Sequence, residues 1–159
     1  MTAFATLMLS LFLAPRGSSN YDTEIAAAVR DVERVHYVPP AFVRAIIRCE
    51  SDFNSQAVSS AGAIGLMQVM PFNARRVGIN EYDLWKSSQN ILAGVRLLAV
   101  LLKHYHGDLI SALVAYNARP RKPFAPIPRN GQTPRYVAAV LKYYLYYLRL
   151  PPLDTEVPP

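Results

Sequence analysis

Between Cys49 and Pro71 the chain reads CESDFNSQAVSSAGAIGLMQVMP. Glu50 closes an apolar helical stretch, a loop of small residues follows, and the Gly65-Leu66-Met67-Gln68 turn completes the segment. A carboxylic acid among apolar neighbours such as Ile46, Ile47 and Phe53 is expected to hold its proton near neutrality, because desolvation disfavours the anion. Such a group can donate that proton to a leaving oxygen. Gln68 and Asn117 each give and accept hydrogen bonds, which suits hydroxyl and amide recognition. Together these are the outline of a carbohydrate-cleaving site, set against the plainer reading of Glu50 as a solvated helix-end carboxylate.

Ordinary glycosidases flank the scissile bond with two carboxyl groups. Candidates for a partner are poor here. Asp52 lies two residues on and points elsewhere on a helix, while Glu81, Asp83 and Asp108 fall in loop or capping contexts. A single acid leaves room for a substrate that supplies the second group itself. Tyr116 carries a hydroxyl able to orient a carboxyl, and Met67 and Met70 read first as core. A Cys49 nucleophile is disfavoured, since a thiol within an apolar helix is ordinarily inert. One Cys excludes an intramolecular disulfide. One Cys and His at 36, 104 and 106 give no recognised metal-ligand spacing, so no metal and no cofactor are expected.

Helices must position these groups. Ile25, Val29 and Val32 predict a helix over about 22–35, capped by Asp22 or Thr23. Pro40 suits the first turn of a second helix, about 41–50, whose Phe42, Val43, Ile46, Ile47 and Cys49 make it central and buried. It ends at Glu50, where the helix dipole is unfavourable to a carboxylate. A short helix is expected over 65–70, ended by Pro71, and another over 73–77. Residues 79–86 read as irregular, with Tyr82, Leu84 and Trp85 as packing anchors. A long helix from Ser87 or Ser88 to about 105 supplies the core axis, and Asp108 caps a helix to about 118. Residues 119–133, with four Pro, form a long loop. Thr133-Pro134 caps a last helix to about 150.

With 52% hydrophobic and 18% charged residues, 159 residues make one globular domain rather than a disordered chain. The net charge of +6 favours an anionic partner. No polybasic run and no groove-reading basic helix supports nucleic acid. Ala3 to Ala14 is an apolar run with the length of a signal-peptide core and too short to span a membrane. The expected division is residues 1–19 as signal peptide or apolar N-terminal segment, 20–150 as the domain, and 151–159 as a Pro-rich tail. No transmembrane span is expected.

Glu50-Ser51-x-Phe53, followed by Ala57-x-Ser59-x-x-Gly62-Ala63-x-Gly65-Leu66-Met67-Gln68-Val69-Met70-Pro71, resembles the signature of the soluble lytic transglycosylase (SLT) catalytic domain. Asn90-Ile91 with Gly94, Gly107-Asp108 through Ala115-Tyr116-Asn117-Ala118, and Thr133 with Tyr136-Val137 and Val140 resemble that family's later blocks, in order. The resemblance implies a mainly α, lysozyme-like (goose-type/SLT) single domain of several helices around a central buried helix. It implies a cleft for peptidoglycan glycan strands and non-hydrolytic cleavage to 1,6-anhydromuramoyl ends. Glu50 would be acid and then base; Ser59, Met67, Gln68 and Met70 would line the cleft; Tyr116 would hold Glu50; Asn117 would contact substrate. It further implies an exported, periplasmic or wall-associated protein, and the compact size is similar to members that serve envelope-spanning secretion or conjugation machines. Two other readings stand beside it: a goose-type lysozyme hydrolase, and a non-catalytic wall-binding or scaffold domain. One departure is Arg119, where the family has Gly.

Overall fold

The computed structural model describes residues 21–118 and 132–149. The expected signal segment, the tail 151–159, Arg119 and nearly all of the proline-rich loop lie outside them. The described residues form α1 (Asp22–Val32), α2 (Pro40–Ser51), α3 (Pro71–Arg76), a 3₁₀ turn (Glu81–Trp85), α4 (Ser87–His104), α5 (Leu109–Ala118) and α6 (Gln132–Leu148). No helix among them is long and apolar enough to cross a membrane.

α2 is the buried axis. Pro40 occupies its first turn, where a missing N–H costs nothing. Phe42, Val43, Ala45, Ile46 and Ile47 have no exposed surface. Its largest contact is with α6, while α1 lies along α4. α2 and α6 run in opposite senses: Phe42 meets Tyr144 edge-on at 5.3 Å near one end, and Glu50 faces Tyr136 near the other. Leu98 and Leu102 of α4 and Leu113 of α5 complete the core. Arg96 of α4 ties α1 down, with Nε and Nη2 on the two Asp31 carboxylate oxygens at 2.7 and 2.9 Å and Nη1 on the Val77 carbonyl at 3.0 Å.

Several local expectations need correction. Residues 65–70 are not helical. Ile64 instead bridges Val58 and Val69 in short antiparallel contacts, because Gly65 (φ 75°) and Gln68 (φ 48°) are left-handed and break the helical run. Pro71 starts α3 rather than ending a helix. Residues 81–85 wind into a 3₁₀ turn, in which Leu84 is fully buried but Tyr82 and Trp85 are 80% and 46% exposed. Neither ring is a packing anchor. α1 begins after Tyr21 and α4 after Lys86, both without a side-chain cap, and Thr133 lies inside α6 rather than before it. The Asp108 cap forms: Oδ1 accepts from Ile110 N at 3.0 Å and Oδ2 from Ser111 Oγ at 2.6 Å.

Candidate active site

The last turn of α2 carries the acid. Directly after Ser51 the chain reverses through Asp52 (φ 52°) and Phe53 (φ 61°), two left-handed residues in succession. Asp tolerates this conformation; for Phe it costs about 1–2 kcal/mol. The Phe53 ring is stacked on Tyr21 at 6.5 Å, which holds the reversal. Asp52 turns outward, 70% exposed and ion-paired to Arg48. Glu50, partly buried with Oε1 fully enclosed, stays at the negative end of the helix dipole and faces the Tyr136 phenol. Burial and the dipole both disfavour a standing negative charge.

The 57–70 loop is fixed against that turn by hydrogen bonds to its backbone. Ser51 Oγ donates to Leu66 O at 2.8 Å. Asn90 Oδ1 accepts from Met67 N at 2.9 Å, and its Nδ2 donates to Ile64 O at 2.8 Å and Leu84 O at 2.9 Å. Only Gly fits at 65, since a Cβ there would come within 2.3 Å of Asn90 Nδ2. Gly94 plays the matching part on α4: a Cβ would meet Met67 Sδ at 2.4 Å. Tyr116 Oη, from α5, donates to Met67 O at 2.8 Å.

Each proposed site residue can now be placed. Gln68 is buried, and its Nε2 donates to Ala57 O at 3.1 Å and Gly65 O at 3.0 Å, so its amide nitrogen serves the loop. Met67 has no exposed surface. It packs beneath the site, as its apolar character first suggested, and does not line a cleft wall. Ser59 is partly exposed, and its Oγ accepts from Ala63 N at 3.0 Å, closing the outer turn of the loop. Met70, partly exposed, precedes α3 as its N-cap. Asn117 is partly buried, and its Oδ1 accepts from Thr133 Oγ1 at 3.3 Å, joining α5 to α6. The structure thus gathers Glu50, the Gly65–Gln68 turn and Tyr116, with Asn117 linking the neighbouring helices.

Sequence reasoning left out Tyr136. Its hydroxyl is buried, with no hydrogen-bond partner in ordinary geometry among the described residues, and it faces Glu50. Burial first, then the Glu50 carboxyl and Tyr116, raise the phenol well above its ordinary pKa. It is therefore a committed proton holder beside the acid. The signal was its place in the closing-helix block, masked by the other tyrosines of α6. Cys49 is only partly buried, yet burial and then the Glu50 charge push its thiol up to about 11, against a lowering by Arg48. A thiolate nucleophile is not available at neutral pH.

No group of three or more His, Cys, Asp or Glu able to hold a metal ion occurs among the described residues. The acids outside the site are engaged. Asp22 pairs with Arg44, Asp31 with Arg96, Asp52 with Arg48, Glu81 with Arg75 and Asp83 with Lys86, and Asp108 caps α5. The remaining described carboxylates, Glu24 and Glu33, sit in the first turn and at the end of α1.

The chain is 42% identical over 79 residues to a transglycosylase of Enterobacteria phage PRD1, covering 49% of this chain and 28% of that protein. It is 35% identical over 114 residues to a putative soluble lytic murein transglycosylase of Haemophilus influenzae, covering 67% of this chain and 18% of that protein. The chain thus spans under a third of the length of these relatives. Among solved structures, the lytic transglycosylase Slt of Pseudomonas aeruginosa, an inactive mutant with one Glu replaced by Gln, superposes with TM-score 0.68 at 26% identity, covering 80% of this chain and 24% of that one. The 70 kDa soluble lytic transglycosylase of Escherichia coli gives TM-score 0.63 at 26% identity, over 77% of this chain and 24% of that one. These likenesses bear out the mainly α, lysozyme-like fold. The family model described as the transglycosylase SLT domain matches residues 28–134, the span that carries α2, the loop and the start of α6, and the chain belongs to that family.

Proposed function

We propose that this chain is a peptidoglycan lytic transglycosylase that cleaves the β-1,4 bond between N-acetylmuramic acid and N-acetylglucosamine without water. The observation that carries the reading is the solitary acid. Glu50 stands at the end of a buried helix beside a protonated phenol, while the other described acids serve ion pairs or helix ends. Among the described residues, two-carboxylate hydrolysis finds no second member. The names of the relatives and the Glu-to-Gln inactive neighbour support the same reading.

In the first step Glu50 gives its proton to the glycosidic oxygen as the bond to C1 of the muramic sugar breaks. The acetamido oxygen of that sugar closes on C1 as an oxazolinium ion, and the N-acetylglucosamine leaves with a free 4-hydroxyl. The Glu50 carboxylate then takes the proton of the C6 hydroxyl, whose oxygen attacks C1. The oxazolinium reopens to the acetamide and a 1,6-anhydro ring forms. The proton returns to Glu50 and no water is consumed. Tyr136, held protonated, can donate to Glu50 when the carboxylate forms. Tyr116 fixes the opposing Met67 carbonyl and with it the loop facing the sugar. Ser59, Gln68, Met70 and Asn117 are assigned to the walls that meet the glycan, with Gln68 contributing through its amide oxygen. A substrate in the wall requires the domain to act outside the cytoplasm.

Glu50→Gln should lower the cleavage of purified sacculi by about a thousandfold, the usual weight of a general acid, with an unchanged helical circular dichroism spectrum. Mass spectrometry of the muropeptides decides the reaction: 1,6-anhydro ends support it. Reducing ends would make the protein a hydrolase, and binding without products would make it a wall-binding domain.

A further inference from the structure

The 3₁₀ turn Glu81–Trp85 presents two aromatic rings that the fold does not use. In a 3₁₀ helix residues three apart lie one above the other, offset by about 6 Å along the axis. Tyr82 and Trp85 have this spacing and are 80% and 46% exposed. The turn beneath them is held at several points. Leu84 is fully buried, Asn80 Oδ1 accepts from Tyr82 N at 3.1 Å, and Arg75–Glu81 and Lys86–Asp83 ion pairs flank it. Asn90 Nδ2 donates both to Leu84 O and to Ile64 O, so the turn shares one side-chain anchor with the loop that faces Glu50.

We propose that Tyr82 and Trp85 form a second glycan-binding subsite, an aromatic platform on which sugar rings of the same wall strand stack outside the cleavage site. The inference rests on the glycan reading of the Glu50 site. A pyranose has an apolar C–H face and polar edges. It suits flat amphipathic rings rimmed by ionic groups, which can hydrogen-bond the edges without being desolvated. An apolar protein partner would have to bury both ion pairs, which costs more than it returns. Residues 75–86 hold three basic and two acidic residues, a balance that favours an acidic wall polymer. Rigid attachment through Asn90 to the catalytic loop keeps platform and site in fixed relation.

Trp85 is the single Trp of the chain, so its fluorescence reports this surface directly. In full-length Glu50→Gln protein, which binds without turnover, titration with N-acetylglucosamine oligomers and with amidase-treated glycan strands should shift the emission saturably and protect Trp85 from acrylamide. Tyr82→Ala should weaken that response about tenfold, the worth of one stacked ring. The Tyr82→Ala/Trp85→Ala double variant should lose sedimentation with sacculi by a similar factor or more while keeping its helical spectrum. A Trp85 signal and quenching unchanged at saturating glycan would overturn the proposal, as would undiminished sedimentation of the folded double variant. A response to single-stranded DNA or to a detergent surface in place of glycan would also overturn it. A silent Trp85 in a protein whose wild type still yields anhydro ends condemns the platform alone. Absence of anhydro ends with an intact Trp85 response condemns the catalytic reading alone.

Discussion

Tyr136 and Glu50 meet across the α2–α6 contact, and their chemistry is asymmetric. The phenol is held protonated by burial and by the carboxyl it faces, so it keeps a proton to donate to the Glu50 carboxylate. Tyr136→Phe should leave the fold intact and lower kcat about ten- to a hundredfold, the loss expected for one hydrogen bond to a charged group. It should also displace the alkaline limb of the pH–rate profile, which is set by the ionisation of Glu50 and which a merely structural role would leave in place. Cys49 yields a second prediction. With its thiol pushed up to about 11, iodoacetamide at pH 8 should label the native protein far more slowly than the unfolded chain. The sign for stability follows: the unfolded thiol ionises first, so the contribution of a neutral Cys49 is full below about 8.5 and falls as the pH rises towards 11. Glu50 was legible in the sequence because an acid at the wrong end of an apolar helix contradicts local rules. Tyr136 was not, since α6 holds five tyrosines and only tertiary packing tells which hydroxyl turns inward. Met67 was legible as core from its type, and the motif's implication that it lines the cleft fails because Gly94 lets it sink against α4.

The element that decides the site's shape is the loop 57–70, and its keystone is Asn90 on α4. One amide satisfies Met67 N, Ile64 O and Leu84 O. Asn90→Ala strands three buried backbone groups and should cost about 3 kcal/mol, read from the urea midpoint at unchanged slope. Gly65→Ala adds left-handed strain to a clash with that amide, and should reduce both stability and cleavage. The helices were readable from apolar periodicity to within a few residues, and Asp108 was readable as a cap. The loop was not. Gly65 through Met70 offers no sequence signal against a helix, and what prevents one is the left-handed backbone at Gly65 and Gln68, held in place by Asn90 from a distant part of the chain. The exposure of Tyr82 and Trp85 escaped for the same kind of reason: composition marks aromatic residues as anchors, while the 3₁₀ winding buries only Leu84.

At the scale of the molecule, the mainly α fold, the central α2 and the long α4 followed from pattern and from the family motifs. The pairing of α1 with α4 needed the structure, because it depends on Arg96 reaching Asp31 across the fold. That guanidinium holds the Asp31 carboxyl below the ordinary carboxylate range. The pair's stabilisation is therefore full above about pH 5 and is lost as the pH falls through about 4 and below. Arg96→Gln should lower the melting temperature at pH 7 and flatten the acid side of the thermal-melting profile, the two proteins converging below about pH 3. The two walls of the site also arrive at different times. Among the described helices Glu50 is on the second and Tyr136 on the last, so a nascent or partly threaded chain carries the acid without its phenol. On the proposed reading, full cutting activity waits for α6 to dock against α2.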